Sequence, residues 1–215
     1  MAITFRLLET KRNHVVTYSS KVPSKGLLDK ALYKAWKTTP SKNSAMPYQV
    51  LVWNKQEHKD AIYNLSVRNH KEQPHHTNPK PNPYFLHIKT APYLISIHQR
   101  VATPNNYYKK LIDKEGLYFD WADEKSMNKI TDSTSLEVGI FIANFTLYLL
   151  EEGLDISYNG CYKRDVKEWQ EAGLPVKTKP LTMMSIGYAE SYRKEQINIE
   201  EDLKPELKEI IKWIN

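Results

Sequence analysis

Three short stretches carry the groups needed to hold a ligand. Lys11-Arg12-Asn13-His14, ahead of the β-branched run Val15-Val16-Thr17, puts two adjacent cations at the junction between two elements. A phosphate is held by cations together with exposed N–H groups, whereas the plainer reading of the same residues is a solvated surface. The second stretch, Thr38 to Tyr48, is a loop of small and polar residues closed by Pro47. Small side chains let a flat ligand lie close to the backbone, and the alternative is a connector with no ligand. The third, Ile156-Ser-Tyr-Asn-Gly-Cys161, is a short strand that ends in a glycine turn.

Other reactive residues point less clearly to chemistry. His70, His75 and His76 lie among Pro74, Pro79, Pro81 and Pro83, where regular structure is unlikely and no cysteine or closely spaced carboxylate completes a metal-ligand pattern. A solvated loop without a metal is the expectation there. The single cysteine, Cys161, cannot form an internal disulfide, which agrees with a reducing compartment, and no partner base is evident for its thiol. The net charge of +6 comes from lysines spread along the chain rather than from one basic block. Scattered charge argues against a dedicated nucleic-acid face and leaves affinity for an anionic cofactor or substrate.

The elements that must position these stretches are read from periodicity. Ser24 is placed to cap a helix whose Leu27, Leu28, Ala31, Leu32 and Ala35 follow helical spacing, and Tyr48–Trp53 is a strand. Ala61, Ile62 and Leu65 mark a helix from Glu57 to Val67, and Ala91–His98 is a buried strand. Asp165–Ala172 forms a helix stopped at Gly173, and Leu181–Gly187 is a core strand. A short helix is expected over Ile3–Lys11. The most apolar long run, Thr134 to Gly153, is predicted as one helix with a Thr134/Glu137 capping box and Gly153 as its stop. Leu136, Ile140, Ala143 and Leu147 lie along one side of it, and Val138, Phe141, Phe145 and Leu149 cover much of the rest. A helix apolar all round is buried all round, in a core or a subunit interface. Asn144 and Glu137 inside it argue against a membrane span.

The 215 residues fit one domain with an appended arm, and the start of the chain lacks a signal-peptide pattern, so a cytoplasmic protein is expected. Residues 100–131 mix Tyr107, Tyr108, Tyr118, Phe119 and Trp121 with charges, which suits a flap or a pocket lid. The tail from Ile197 to Asn215 carries Leu203, Leu207, Ile210, Ile211 and Ile214 at helical spacing, an arm that must dock on its own domain or on a partner.

Taken in order, these features resemble the FMN-dependent nitroreductase family over nearly the whole chain. Lys11-Arg12-Asn13-His14 is similar to its N-terminal phosphate motif, and Pro40-Ser41-Lys42-Asn43-Ser44-Ala45-Met46-Pro47-Tyr48 to its Pro-Ser loop. Ser135-Leu136-Glu137-Val138-Gly139 and Glu152-Gly153-Leu154 resemble the two ends of its long interface helix. Tyr158-Asn159-Gly160 stands where the turn under the flavin does, and Ser185-Ile186-Gly187-Tyr188 is similar to the last core strand, with Arg193 after it. The resemblance implies an α+β, three-layer α/β/α sandwich with a mixed, mostly antiparallel sheet, intertwined as a homodimer through helix 134–152. It implies FMN held at its phosphate by Arg12 and Arg193 with Asn13 and His14, and donors to the ring from the backbone of Asn159 and Gly160. Pro40, Ser41, Lys42 and Ser44 would bind the cofactor, Ser41 and Lys42 reaching the flavin held mainly by the other subunit, and Asn69 or Arg68 would contact the ring edge. Val16 stands where the family commonly carries a cation against the pyrimidine edge, with Lys42 or Arg68 as substitutes.

The resemblance implies residues 1–194 as an FMN-binding domain, 100–131 as its lid and 195–215 as the arm. Its reaction would be ping-pong hydride transfer from NADH or NADPH to an electron-poor acceptor such as a nitroaromatic or quinone. The cofactor carries the chemistry and the protein offers little acid or base. Branches that dehalogenate, dehydrogenate or fragment flavin, a non-catalytic flavin binder, and a lysine-surfaced nucleic-acid binder are the alternatives.

Overall fold

The computed structural model describes residues 15–41, 46–72, 85–100, 110, 114, 124–160, 162, 165–192 and 207–211, with backbone alone for 124–133 and 207–208. Its elements in chain order are β1 (Val15–Tyr18), α1 (Lys25–Thr38), β2 (Tyr48–Trp53), α2 (Gln56–Lys71), α3 (Leu86–Thr90) and β3 (Tyr93–Gln99). They are followed by α4 (Glu124–Glu151), β4 (Asp155–Asn159), α5 (Val166–Glu171), β5 (Pro180–Gly187), β6 (Ala189–Tyr192) and α6 (Leu207–Ile210).

The central sheet has the order β2-β3-β5-β4, with every neighbouring pair antiparallel, so β2 and β4 are its edges. Side chains alternate across a strand, and the sequence uses both faces for burial. Ile95, Ile97, Met184 and Ile186 pack with α1 and α4 on one face, whereas Leu94 and Met183 pack with α2, α3 and α5 on the other. The result is the three-layer α/β/α sandwich. A separate antiparallel ribbon, β1 with β6, closes against this body. Tyr18 anchors it by donating its hydroxyl to Ser185 O at 2.9 Å, and Gly187 is required there because a Cβ would fall 2.6 Å from Pro92 Cδ.

Local signals set most boundaries as expected. Ser24 Oγ accepts from Leu27 N, and Asp165 accepts from Lys167 N, each satisfying a free donor of a first helical turn. Gly153 and Gly173 both take left-handed backbone, φ 74° and 79°. In each case the glycine and the residue after it donate back to the last turn, to Leu150 and Leu149 after α4 and to Gln170 and Trp169 after α5.

The long helix departs from expectation in two ways. It starts at Glu124 and runs 28 residues, so Thr134 and Glu137 are interior, buried positions rather than a capping box. Residues 124–133 contain no glycine or proline, and nothing in them stops the helix from growing backward. Part of the segment expected as a lid is therefore helix. Nor is α4 buried all round within one chain. Val138, Phe141, Phe145 and Leu149 are core residues, but Gly139 and Ala143 are exposed and Leu136 is 67% exposed. β6 and α3 were not legible as elements; both are short and lie between stronger signals. The expected helix over residues 3–11 lies outside the described residues. Of the tail, Ile210 and Ile211 are exposed at the end of α6. Among the described residues no helix is long and apolar enough to cross a membrane.

Candidate functional site at the open end of strand β4

α2 brings the first polar group to this site. Ile62, Leu65, Ser66 and Asn69 continue one face at helical spacing, and the stripe changes from apolar to polar as it reaches the sheet edge. Ser66 is fully buried, and its hydroxyl accepts a hydrogen bond from Asn159 Nδ2 at 3.3 Å. Asn159 is the last residue of β4, an edge strand with no neighbour on its outer side among the described residues. Gly160 follows it exposed, with no described atom within 4 Å of where a Cβ would stand. The turn thus presents open backbone at a place held from beneath by a buried side-chain contact. Asn159 and Gly160 carry no acid or base, so what this end offers is hydrogen bonding and room for a flat group.

Tyr158 points to the opposite face. It is 47% exposed, and its hydroxyl bonds Thr146 Oγ1 on α4 at 2.5 Å. Burial raises the hydroxyl's pKa, opposed by that hydrogen bond, so Tyr158 stays protonated at neutral pH. Asn69 is half-buried one turn after Ser66. Arg68, the other residue expected at the ring edge, is exposed and bonded to Glu168 Oε2 of α5 at 2.8 Å. That ion pair spans the groove between α2 and α5, which Ala61, Asn64 and Glu171 also line. Val16 sits half-buried in β1.

The small-residue loop lies at the other edge of the sheet. Pro40 is exposed, and Ser41 Oγ accepts from Met46 N at 2.9 Å, closing the loop across five residues. Met46 has φ 45°, a strained value for a residue with a side chain. Arg100 fixes this corner by donating from Nε to Met46 O and from its backbone N to Pro47 O, both at 3.0 Å. A cavity of about 390 Å³ beside it is lined by Leu32, Trp36, Met46, Tyr48, Val50, Arg100 and Phe141. Burial, then Glu137, pushes the Tyr48 hydroxyl up to about 12.

At the ribbon, Val15 pairs with Tyr192. The segments bearing Arg12 and Arg193 therefore both leave it at that end. Asp155 ties β6 to the sheet, accepting from Ala189 N at 3.0 Å and from the Tyr192 hydroxyl at 2.9 Å. Burial and then the Asp155 contact push Tyr192 up to about 12. Arg12, Asn13, His14, Lys42, Ser44 and Arg193, together with Cys161, lie outside the described residues.

No family model matches the sequence, and no curated protein matches it significantly. The fold, in contrast, matches solved structures over nearly its whole length. A nitroreductase-like protein from Streptococcus mutans has a TM-score of 0.67 at 17% identity, covering 100% of this chain and 99% of its own. An Exiguobacterium sibiricum protein assigned to the nitroreductases and solved in complex with FMN has a TM-score of 0.66 at 16% identity, covering 98% and 97%. The chain has the nitroreductase fold. An iodotyrosine deiodinase bound to FMN and 3-iodo-L-tyrosine shares it, with a TM-score of 0.62 at 17% identity and coverage of 88% and 91%.

On this nitroreductase fold Ser66 joins α2, which carries Asn69, to the end of β4 at Asn159, and Pro40 and Ser41 precede the opposite edge strand, β2. Sequence reading missed Ser66, Arg100, Asp155 and Tyr192. For Ser66 a signal existed, a hydroxyl standing on the buried stripe of α2. Arg100 had a fainter one, a cation directly after a buried strand. The Asp155–Tyr192 contact joins residues 37 apart and left no local trace.

Proposed function

We propose that the chain is an FMN-dependent oxidoreductase that takes electrons from NADH or NADPH and passes them to an electron-poor acceptor such as a nitroaromatic or quinone. The observation that carries the reading is the nitroreductase fold, matched over 98% of the chain by a structure solved with FMN. Bound FMN supplies the two-electron exchange, and the rest is binding and orientation by this chain's residues. Asn69 and the backbone of Asn159 and Gly160 meet the ring. Arg12, Asn13, His14 and Arg193 hold the phosphate, a role supported by the two segments leaving the ribbon at one end.

The site is completed by a second chain. Pro40 and Ser41 stand beside β2, and Gly160 follows β4, so three strand spacings, roughly 14 Å, separate them within one chain. One flavin reached by both is more naturally shared between two subunits, with Ser41, Lys42 and Ser44 supplied by the partner. The exposed Leu136, Gly139 and Ala143 of α4, with half-buried Ile140 and Leu147 beside them, supply the apolar stripe for that homodimer.

The test is an absorbance spectrum of the purified protein, then anaerobic titration with NADH and with NADPH. Flavin absorbance that bleaches with either nicotinamide and returns with a nitroaromatic or quinone is the expected result. A colourless protein that stays apo when mixed with FMN overturns the reading, and bound FMN that neither nicotinamide reduces favours a binding protein. The likeness to a deiodinase supports a dehalogenating reading as the second choice. Iodide release from 3-iodo-L-tyrosine, with no turnover of nitroaromatics or quinones, would select it.

A further inference from the structure

We infer that Ser66 is a positioning residue for the flavin ring, setting the distance between Asn69 and the backbone of Asn159 and Gly160; this rests on the flavin reading above. The inference starts from a buried polar contact between two elements. Between α2 and the sheet, Ile62 and Leu65 of the helix pack with Trp53, Leu94 and Met183 of the strands, all buried. α2 also carries the fully buried Ser66, and β4 answers with Asn159, 4% exposed. Their bond, Asn159 Nδ2 to Ser66 Oγ at 3.3 Å, joins residues 93 apart. A buried neutral hydrogen bond adds little net stability, and two apolar side chains of the same shape would serve a core as well. What the polar pair adds is a fixed relative placement of the two elements that carry it.

Those two elements carry the described residues proposed to meet the ring. Asn69 lies one turn beyond Ser66 on the same face of α2. Gly160 is the next residue after Asn159, with no described atom within 4 Å of where its Cβ would stand. A displacement of α2 relative to the end of β4 therefore changes the gap a ring must fit. Because Arg12, Asn13, His14 and Arg193, the residues proposed for the phosphate, belong to neither α2 nor β4, Ser66 acts on the ring and not on the phosphate.

The test compares FMN with riboflavin, which lacks the phosphate, in Ser66→Ala and in the size-preserving Ser66→Cys. Binding is followed by fluorescence quenching and the flavin's absorption maximum. Ser66→Ala is expected to weaken FMN and riboflavin by the same factor, about 3- to 10-fold, and to shift the bound absorption maximum. Ser66→Cys should fall between it and the wild type. The loss should shrink in the Asn69→Ala background, since the two residues act on one gap. A merely structural role predicts a lower Tm, because the substitution removes the acceptor of the buried Asn159 Nδ2, with flavin affinity and spectra unchanged. Variants that bind both flavins with wild-type affinity and spectrum overturn the inference. A loss confined to FMN also overturns it, because that places the effect at the phosphate. If the wild type binds neither flavin, the flavin reading itself falls and this inference falls with it.

Discussion

A buried hydrogen bond is worth about 1 kcal/mol on balance, whereas one to a charged group is worth about 1.5–3 kcal/mol, and this difference sorts the residues of the site. Ser66 and Asn159 make a neutral contact and set position. Arg12, proposed against the FMN phosphate, makes a charged one. Arg12→Ala is therefore expected to weaken FMN by about 1.5–3 kcal/mol while leaving riboflavin nearly unaffected, measured by fluorescence titration. Equal FMN affinity in the variant would reject the phosphate role. Away from the site, His98 is fully buried, with Nδ1 2.8 Å from Thr178 O and Nε2 2.8 Å from Ser96 Oγ. The carbonyl requires a donor, so Nδ1 carries the proton. Nε2 accepts from the Ser96 hydroxyl, whose oxygen in turn accepts from Trp53 Nε1 at 2.7 Å. Burial lowers the His98 pKa below its usual 6.5, opposed by the Thr178 contact. Below that value the unfolded chain binds a proton that the folded chain refuses. The stability contributed by neutral His98 is complete above about pH 7 and is lost as pH falls through 6.5 toward the folded pKa, at up to about 1.4 kcal/mol per unit. Thermal unfolding of wild type and His98→Gln between pH 8 and 5 checks it. The wild type should lose Tm more steeply below 6.5, and parallel curves would reject this assignment. The sequence shows that His98 ends a buried strand two residues after Ser96, but its partner Thr178, and Trp53 that bonds Ser96, come from other segments that only folding brings to it.

At the scale of elements, what was legible followed period and punctuation. α1, β2, α5 and β5 lie within a few residues of their predicted bounds, because a cap, a glycine or an alternation marks each end. α4 was legible as an element but not in its extent. Its capping box was a local pattern with no reason to act once the preceding residues were free to continue the helix. Its sides also differ in a way periodicity alone does not show, since both are apolar. Phe145 is fully buried in its own chain's core, whereas Leu136 is largely exposed. Phe145→Asp would consequently test the fold rather than an interface. Phe145→Ala should cost about 3–5 kcal/mol, read from denaturant unfolding, with m unchanged. A loss under 1 kcal/mol would contradict the packing of α4 on the sheet. Ser24→Ala, which removes only the α1 cap, should cost about 1 kcal/mol in the same experiment.

For the whole molecule, the two loops proposed to face the ligand lie at opposite edges of one sheet, and the proposed reading therefore makes assembly and cofactor binding a single equilibrium. If the flavin needs the turn at Gly160 from one chain and the loop at Ser41 from another, anything that separates the chains releases it. Leu136→Asp puts a charge on the exposed stripe of α4, where it meets water in the free chain and would meet an apolar surface in the proposed dimer. A substitution at so exposed a position should change the unfolding of the separated chain by no more than about 0.5 kcal/mol. Sedimentation should then report a folded monomer, with circular dichroism like the wild type. Its FMN affinity should fall at least 10-fold, and riboflavin should weaken with it because the loss lies on the ring side. Wild-type protein should show the same coupling on dilution, with flavin fluorescence rising as the dimer dissociates and added FMN shifting dissociation to lower protein concentration. A monomeric Leu136→Asp variant that holds FMN as tightly as the wild type would place the whole site within one chain. The 14 Å between the two edges, estimated from strand spacing, would then have to be bridged by the loops themselves.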